Sequence, residues 1–402
     1  MEIVSQANID VQVPTDHARS RNLTLLALAL GSFSIGTSEF ASMGIIQLFS
    51  SSLGVSIQDA TSAIAAYAFG VVIGAPLVTL AAARLNRRTL LLALMGLFIA
   101  GNVLSAMATN LGFFMVARFI SGMPQGAYFG AGAVVASYIV GPGQAGKAFA
   151  IVMTGLTVAT IFGSPLATFL GQTIGWRETY LAVAAFSLLA FGAIFQWVPR
   201  TKALDGVPVI QEVSSLRKPQ VWGVMIVAAL GISSIFAVYT FIAPLVTDIV
   251  KLSPEVIPVA LALFGIGMTA GNIYGGKLAD RYPARGIVLG FGSTLVILAA
   301  LALGGTHPAV FFPAMFGVGA AMMAAIPTIQ VRLTNFAPEA PSLMGAMNLA
   351  SLNVANAIGA WAGSVAVGAG YGLLSAAWAG FAVTLLGLVV FGLTLLSRRG
   401  EK

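Results

Sequence analysis

Glu39 is the residue with the clearest capacity for chemistry. It stands in GSFSIGTSEFASMG, Gly31 to Gly44, inside a long apolar stretch. A carboxylate in hydrocarbon is costly and is rarely left there without a role. Its helical face also carries Ser32, Gly36 and Met43, at spacings of three and four. Mostly small side chains on that face let a partner helix or water approach, which suits an acid that loads and unloads a proton. The other reading is a polar contact closing one end of a helix bundle. Arg118 is the basic residue that lies within an apolar span. Counting 1.5 Å per residue from the span starts near Asn22 and Leu111, Glu39 is about 25 Å from the inner side and Arg118 about 10 Å from the outer one. Matched depth in neighbouring helices predicts that the two charges sense each other. Arg118 can equally serve as a hydrogen-bond donor to backbone carbonyls.

Other polar and aromatic residues sit at comparable depth. Gln125 and Phe129 flank Gly122, Gly126 and Gly130, a small-residue stripe that allows close helix packing. Asn348, Asn353 and Asn356 are costly in lipid and must face the bundle interior. Asn353 and Asn356, three apart, share a face and can bind either a substrate or a neighbouring helix. Tyr239 and Asn272 are weaker candidates of this kind, and Tyr67, Tyr128 and Phe129 can line a cavity or simply pack. Gly163 and Pro165 predict a bend, since proline removes a donor and crowds the preceding turn. That bend reads as mechanical rather than ligand-binding.

The elements holding these residues follow from composition. Of 402 residues, 58% are hydrophobic and 8% charged, against about 25% charged in a soluble domain. The chain therefore reads as an all-α integral membrane protein, with recurring spans of about 20 apolar residues. We read twelve, near 22–47, 60–83, 89–108, 111–140, 145–171, 177–198, 220–247, 255–276, 286–304, 308–331, 342–367 and 372–396. With the N-terminus inside, the inner connections hold 17 of the 20 Lys and Arg residues, including Arg398, Arg399 and Lys402. The outer connections hold Arg177 and Lys251. This bias places both termini in the cytoplasm and makes the basic excess a matter of topology, not of nucleic-acid binding.

The chain divides into a cytoplasmic tail at 1–20, a six-helix bundle at 21–198, a cytoplasmic linker at 199–219 and a second bundle at 220–398. The halves repeat: Arg84 and Arg281 are offset by 197 residues (281 − 84), and Gly163 and Gly359 by 196 (359 − 163). Such repeats are a transporter architecture with the substrate site between the halves. No Cys is present, the two His are far apart, and there is no phosphate-binding GxxxxGK[ST] loop. We expect no metal, no cofactor and no catalytic residue; energy must come from a gradient or from none.

These residues resemble the major facilitator superfamily, in particular its bacterial drug/proton antiporter branch with the sugar and arabinose efflux proteins. Arg84, Arg87 and Arg88 are similar to the Gly-x-x-x-Asp-Arg-x-Gly-Arg-Arg gating motif, and Asp280-Arg281 with Arg285 to its second copy. Arg118 with Gly122 resembles the span-four arginine motif, Gly155 with Gly163-Ser-Pro165 the span-five antiporter motif, and Gly36-Thr-Ser-Glu39-Phe40 the acidic span-one motif. Gly175-Trp176-Arg177 resembles the start of span six. Ala83 departs from the pattern, standing where the first gating copy has its acid. The resemblance implies a multi-pass protein of the bacterial inner membrane that works as a monomer in lipid. It implies proton-coupled efflux of drugs, sugars or related metabolites, with Glu39 and Arg118 coupling the proton. The cytoplasmic gate would be Arg84, Arg88, Asp280, Arg281 and Arg285. The alternative is an uncoupled facilitator or importer of a polar metabolite, read by Asn353 and Asn356.

Overall fold

The computed structural model describes residues 15–396. Residues 1–14 of the expected tail, and Arg398, Arg399 and Lys402, lie outside the described residues. Every regular element described is helical. The spans are α1 (Thr15–Gly44), α2 (Ile57–Ala81), α3 (Arg87–Ala106), α4 (Leu111–Gly122 with Pro124–Val140), α5 (Ala145–Val158, then Ser164–Thr173) and α6 (Trp176–Trp197). The second half has α7 (Pro219–Gly231 with Ser233–Tyr239), α8 (Ile257–Arg281), α9 (Pro283–Gly304), α10 (Pro308–Phe336), α11 (Pro341–Ala366) and α12 (Ser375–Leu396). Between the halves, a turn at Lys202–Leu204 leads to a short linker helix, Val209–Ser215.

Among the described residues, eleven helical runs are long and apolar enough by themselves to cross a bilayer. The twelfth span is α4, divided where Pro124 lacks an N–H for the ladder. Met123 keeps helical dihedrals there (φ −51, ψ −41), so the axis continues across the break. The expected bend in α5 is a π-helical turn at Ala159–Gly163, directly before Ser164 and Pro165. Extra-residue turns of this kind are a usual source of kinks near functional sites.

The two halves repeat at the level of single contacts. A Cβ added to Gly70 would run into the Phe119 carbonyl, and one added to Gly122 into the Tyr67 carbonyl, so α2 and α4 touch backbone to backbone. In the second half Gly267 meets the Phe316 carbonyl and Gly319 the Phe264 carbonyl. Each residue is displaced by 197 (267 − 70, 316 − 119, 319 − 122, 264 − 67). Likewise Gly163 of α5 abuts Thr37 of α1, and Gly359 of α11 abuts Ser233 of α7, each displaced by 196 (359 − 163, 233 − 37). Small residues at these crossings allow the van der Waals approach that drives helix association in lipid.

The halves meet at the end where the connections carry the basic residues. There Gly130 of α4 lies against the Ser342 carbonyl of α11, and Gly276 of α8 against Ala150 of α5.

Candidate functional site

Side chains of α1 and α4 build the polar part of the site. Ser38 of α1 is fully buried and is the centre of a network. Its hydroxyl donates to Asn102 Oδ1 of α3 at 2.6 Å. Arg118 Nη1 donates to Ser38 Oγ at 2.9 Å, and Nη2 to the Ser38 carbonyl at 3.0 Å. The guanidinium carbon lies 4.5 Å from the Tyr67 ring centre and 5.1 Å from that of Tyr180. Two donated bonds and two aromatic faces thus hold a cation that is 0% exposed.

Glu39 is the next residue on α1, and it takes a different partner. Gln125 Nε2 donates to Glu39 Oε2 at 3.0 Å. Among the described residues no ion pair joins Glu39 to Arg118. The two charges were expected to sense each other, and they make no direct contact. Arg118 gives its two Nη groups to Ser38, one residue away from Glu39, and Glu39 turns toward the interior cavity instead. Gln125 Oε1, Tyr67 Oη and Arg118 Nε are buried around it without hydrogen-bond partners. The expected small face of α1 serves packing: Ser32 donates to the Val152 carbonyl at 2.5 Å, and Gly36 lies against Leu156 and Ala159 of α5.

A cavity lies between the halves. Glu39, Gln125 and Thr160 line it from the first half, and Tyr239, Asn353 and Asn356 from the second. Four aromatic residues line it, Phe40, Phe236, Tyr239 and Phe264, with the Phe40 and Tyr239 ring centres 6.4 Å apart and those of Tyr239 and Phe264 5.2 Å apart. Most of the remaining wall is aliphatic or thioether, including Met153, Met268, Met323 and Ile235. Those residues were not foreseen, because one apolar side chain in an apolar helix carries no signal of where it points.

Three expected lining residues are elsewhere. Tyr128 is buried and donates to the Leu28 carbonyl at 3.0 Å, and Phe129 packs edge-on to it at 6.1 Å. Asn348 donates to Gln330 Oε1 at 3.0 Å within the second half. Tyr128 and Phe129 are packed inside the first half, and Asn348 bonds inside the second, its Oδ1 buried without a partner. Asn353 lines the cavity but donates to its own helix at the Leu349 carbonyl.

Glu39, Arg118 and Gln125 have no polar counterparts in the second half. By the offsets above, Arg118 and Gln125 correspond to Met315 and Met322 (315 − 118 and 322 − 125 are both 197), and Glu39 to Ile235 (235 − 39 = 196). The scaffold therefore tolerates an unbranched apolar residue at the Arg118 position. Arg118 has no ion-pair partner among the described residues, so an apolar replacement strands no buried counter-charge. Arg118→Met is expected to keep the thermal unfolding midpoint within about 4 °C of the parent. A much larger fall in a detergent melting assay would make Arg118 a scaffold residue.

At the basic end, Asp280 bridges the halves. Its carboxylate accepts the backbone N–H of Gly146 at 2.7 Å and of Lys147 at 3.1 Å, at the start of α5. The expected gate arginines do not follow it across. Arg84, Arg281 and Arg285 are exposed. Arg88 is buried but donates to the Phe195 carbonyl and lies over the Phe195 ring, which ties α3 to α6 inside the first half. Exposed guanidinium groups stay in water because burial without a paired acid is costly. Arg87, whose motif position had suggested the gate, is 2% exposed and paired with Glu212 of the linker helix at 3.3 Å.

Two related six-helix halves around one interior cavity define a membrane transport protein. The chain belongs to the major facilitator superfamily, whose family model matches residues 28–360 and 236–402; it is a transporter, not an enzyme. It is 39% identical to the inner membrane transport protein YdhP of Escherichia coli (strain K12) over 376 residues, 93% of this chain and 95% of that one. It is 33% identical to a chloramphenicol resistance protein of Streptomyces lividans, over 92% of this chain and 95% of that one. The transporter FucP, solved in the outward conformation, has the same fold at 14% identity, with a TM-score of 0.72 over 93% of this chain and 99% of that one.

Proposed function

We propose that this protein exports small organic molecules across the bacterial inner membrane in exchange for protons, as a monomer. The carrying observation is Glu39, an acid on the wall of the central cavity, one residue from the anchor of a buried arginine. Proton and substrate would compete for that cavity. Substrate leaving outward lets Glu39 load a proton, and return of the carrier delivers it inward. Neither ligand shifts the two-state equilibrium by more than its difference in affinity for the two states.

The largely apolar wall, with four aromatic rings, favours amphipathic or apolar organic molecules over strongly polar metabolites. The name of the chloramphenicol-resistance relative supports export, and that of the inner-membrane relative supports the location. The basic connections are placed in the cytoplasm by the positive-inside rule. The seam at Gly130 and Asp280 is then the cytoplasmic gate, and residues 199–219 divide bundles 21–198 and 220–398.

The test is chloramphenicol uptake into inverted membrane vesicles, followed by a wider drug panel, under an imposed pH gradient. Gradient-driven accumulation is the expected result. Transport of these compounds that ignores the gradient would make the chain a facilitator and remove the coupling role.

A further inference from the structure

The gate in the proposed function is pseudo-symmetric, yet one of its two acids is missing. In the second half Asp280, at the end of α8, accepts the N–H groups of Gly146 and Lys147 at the start of α5. Subtracting the offset of 197 puts Ala83 at the equivalent place after α2. Adding 196 to Gly146 and Lys147 gives Ser342 and Leu343 at the start of α11. The first half thus carries an alanine where the second carries Asp280, and the helix start related to it by symmetry is that of α11. A helix start without an acceptor leaves backbone donors unpaired.

We infer that Glu212, carried by the linker helix, takes the place of the missing acid and clamps the cytoplasmic gate from outside the two bundles. Four observations carry this. Glu212 is 0% exposed, although it lies in a connection between domains. Its Oε1 pairs with Arg87 Nη2 at 3.3 Å, and Arg87 Nη1 in turn donates to the carbonyl of Ala83 itself. The Leu343 N–H of α11 also acts on its carboxylate, and Leu343 is the residue that the symmetry relation names. Ser342 Oγ beside it is buried without a partner.

One carboxylate therefore pairs with the first half through Arg87 and lies within electrostatic reach of the Leu343 N–H of α11, while its second oxygen, Oε2, is buried without a hydrogen-bond partner. Burial pushes this carboxyl above the ordinary range, with Arg87 pulling the other way. The linker is fixed around it: Asn86 Nδ2 donates to Asp205 Oδ1 at 2.7 Å, and Lys218 pairs with Glu339 at 2.6 Å. Opening the gate moves α11 away from α2 and α4, so Glu212 must release Leu343 or Arg87. It is a positioning residue, acting on the transport equilibrium without touching substrate.

The inference rests on the gate reading above, and the test separates the two. The chain has no Cys, so Met153→Cys gives a single thiol on the cavity wall, two turns along α5 from Gly146. The rate of labelling by a charged maleimide, added to inverted vesicles, reports opening at the basic end. A lost bond to a charged group shifts such an equilibrium about ten- to a hundredfold. Asp280→Asn, Glu212→Ala and Glu212→Gln are each expected to speed labelling by about tenfold or more. Ala83→Asp added to Glu212→Ala returns an acid to the symmetric place and is expected to restore a rate within about twofold of the parent.

If Asp280→Asn accelerates labelling and neither Glu212 variant does, Glu212 is not a clamp. If Glu212→Ala accelerates it and Ala83→Asp fails to reverse this, Glu212 only packs, and the inference falls. If no variant changes the rate, including Asp280→Asn, the gate reading itself is wrong and takes the inference with it. Glu212→Gln, nearly isosteric, keeps the test available should the alanine variant fold poorly.

Discussion

Protein carrying Glu39→Gln is expected to lose gradient-driven accumulation while keeping its fold and its ability to exchange substrate. Gln matches Glu in shape, and its amide oxygen can still accept the bond from Gln125 Nε2 that Glu39 accepts at 3.0 Å. The cavity wall is preserved; what disappears is the ability to carry a proton. One pH unit is worth about 1.4 kcal/mol per proton, so one-for-one exchange supports about a tenfold concentration ratio for each unit of gradient. The parent in vesicles should approach that ratio for a transported compound, and the variant should settle near equality. Substrate counterflow, which needs no net proton movement, should survive in the variant. Equal accumulation by both proteins would remove Glu39 from coupling and leave it as a polar contact of α1 with α4. Glu39→Asp, with a carboxyl on a shorter stem, should retain part of the response.

The second large effect is expected at Gly130. A Cβ built at Gly345 of α11 lies 2.5 Å from the Gly130 Cα, and one built at Gly130 would strike the Ser342 carbonyl. Both obstacles are backbone, which cannot swing aside as a side chain can. Gly130→Leu therefore wedges α4 from α11 and penalises the state in which the basic end is sealed. Overpacking of this sort costs about 1–3 kcal/mol or more, which converts to about a 5- to 150-fold loss of the sealed population. The expected outcome is loss of transport with faster maleimide labelling of Met153→Cys from the basic side. Gly132→Ala is the internal control. Its Cβ meets the Val152 side chain, at 3.2 Å, within the first half, so transport and labelling should stay near the parent. Equal behaviour of the two variants would show that the α4–α11 contact does not form the gate.

Much of this protein was legible in its residues. Scarcity of charge and the bias of Lys and Arg between connections give a membrane class and twelve spans, because hydrocarbon penalises exposed backbone and unpaired charge wherever they occur. The repeat was visible too, since matching contacts need matching small residues at a fixed offset. Glu39, Arg118, Gln125, Asn353 and Asn356 stood out because a polar atom in an apolar span is rare.

The partners were decided only by the tertiary structure. Depth could set Glu39 beside Arg118, but the rotation of α1 gives Arg118 to Ser38 and Glu39 to Gln125. Tyr128, Phe129 and Asn348 belong to the same helices as true lining residues and differ from them only in rotation and in the neighbours they meet. Arg87 and Glu212 are 125 residues apart, and nothing local to either predicts the other. A helix that is apolar all round has no periodic signal to fix its rotation, so its orientation comes from interlocking with other helices. The sequence by itself therefore determined what crosses the membrane and which side chains are out of place there. The packing of the two halves decided which of those side chains meet, and where the cavity lies.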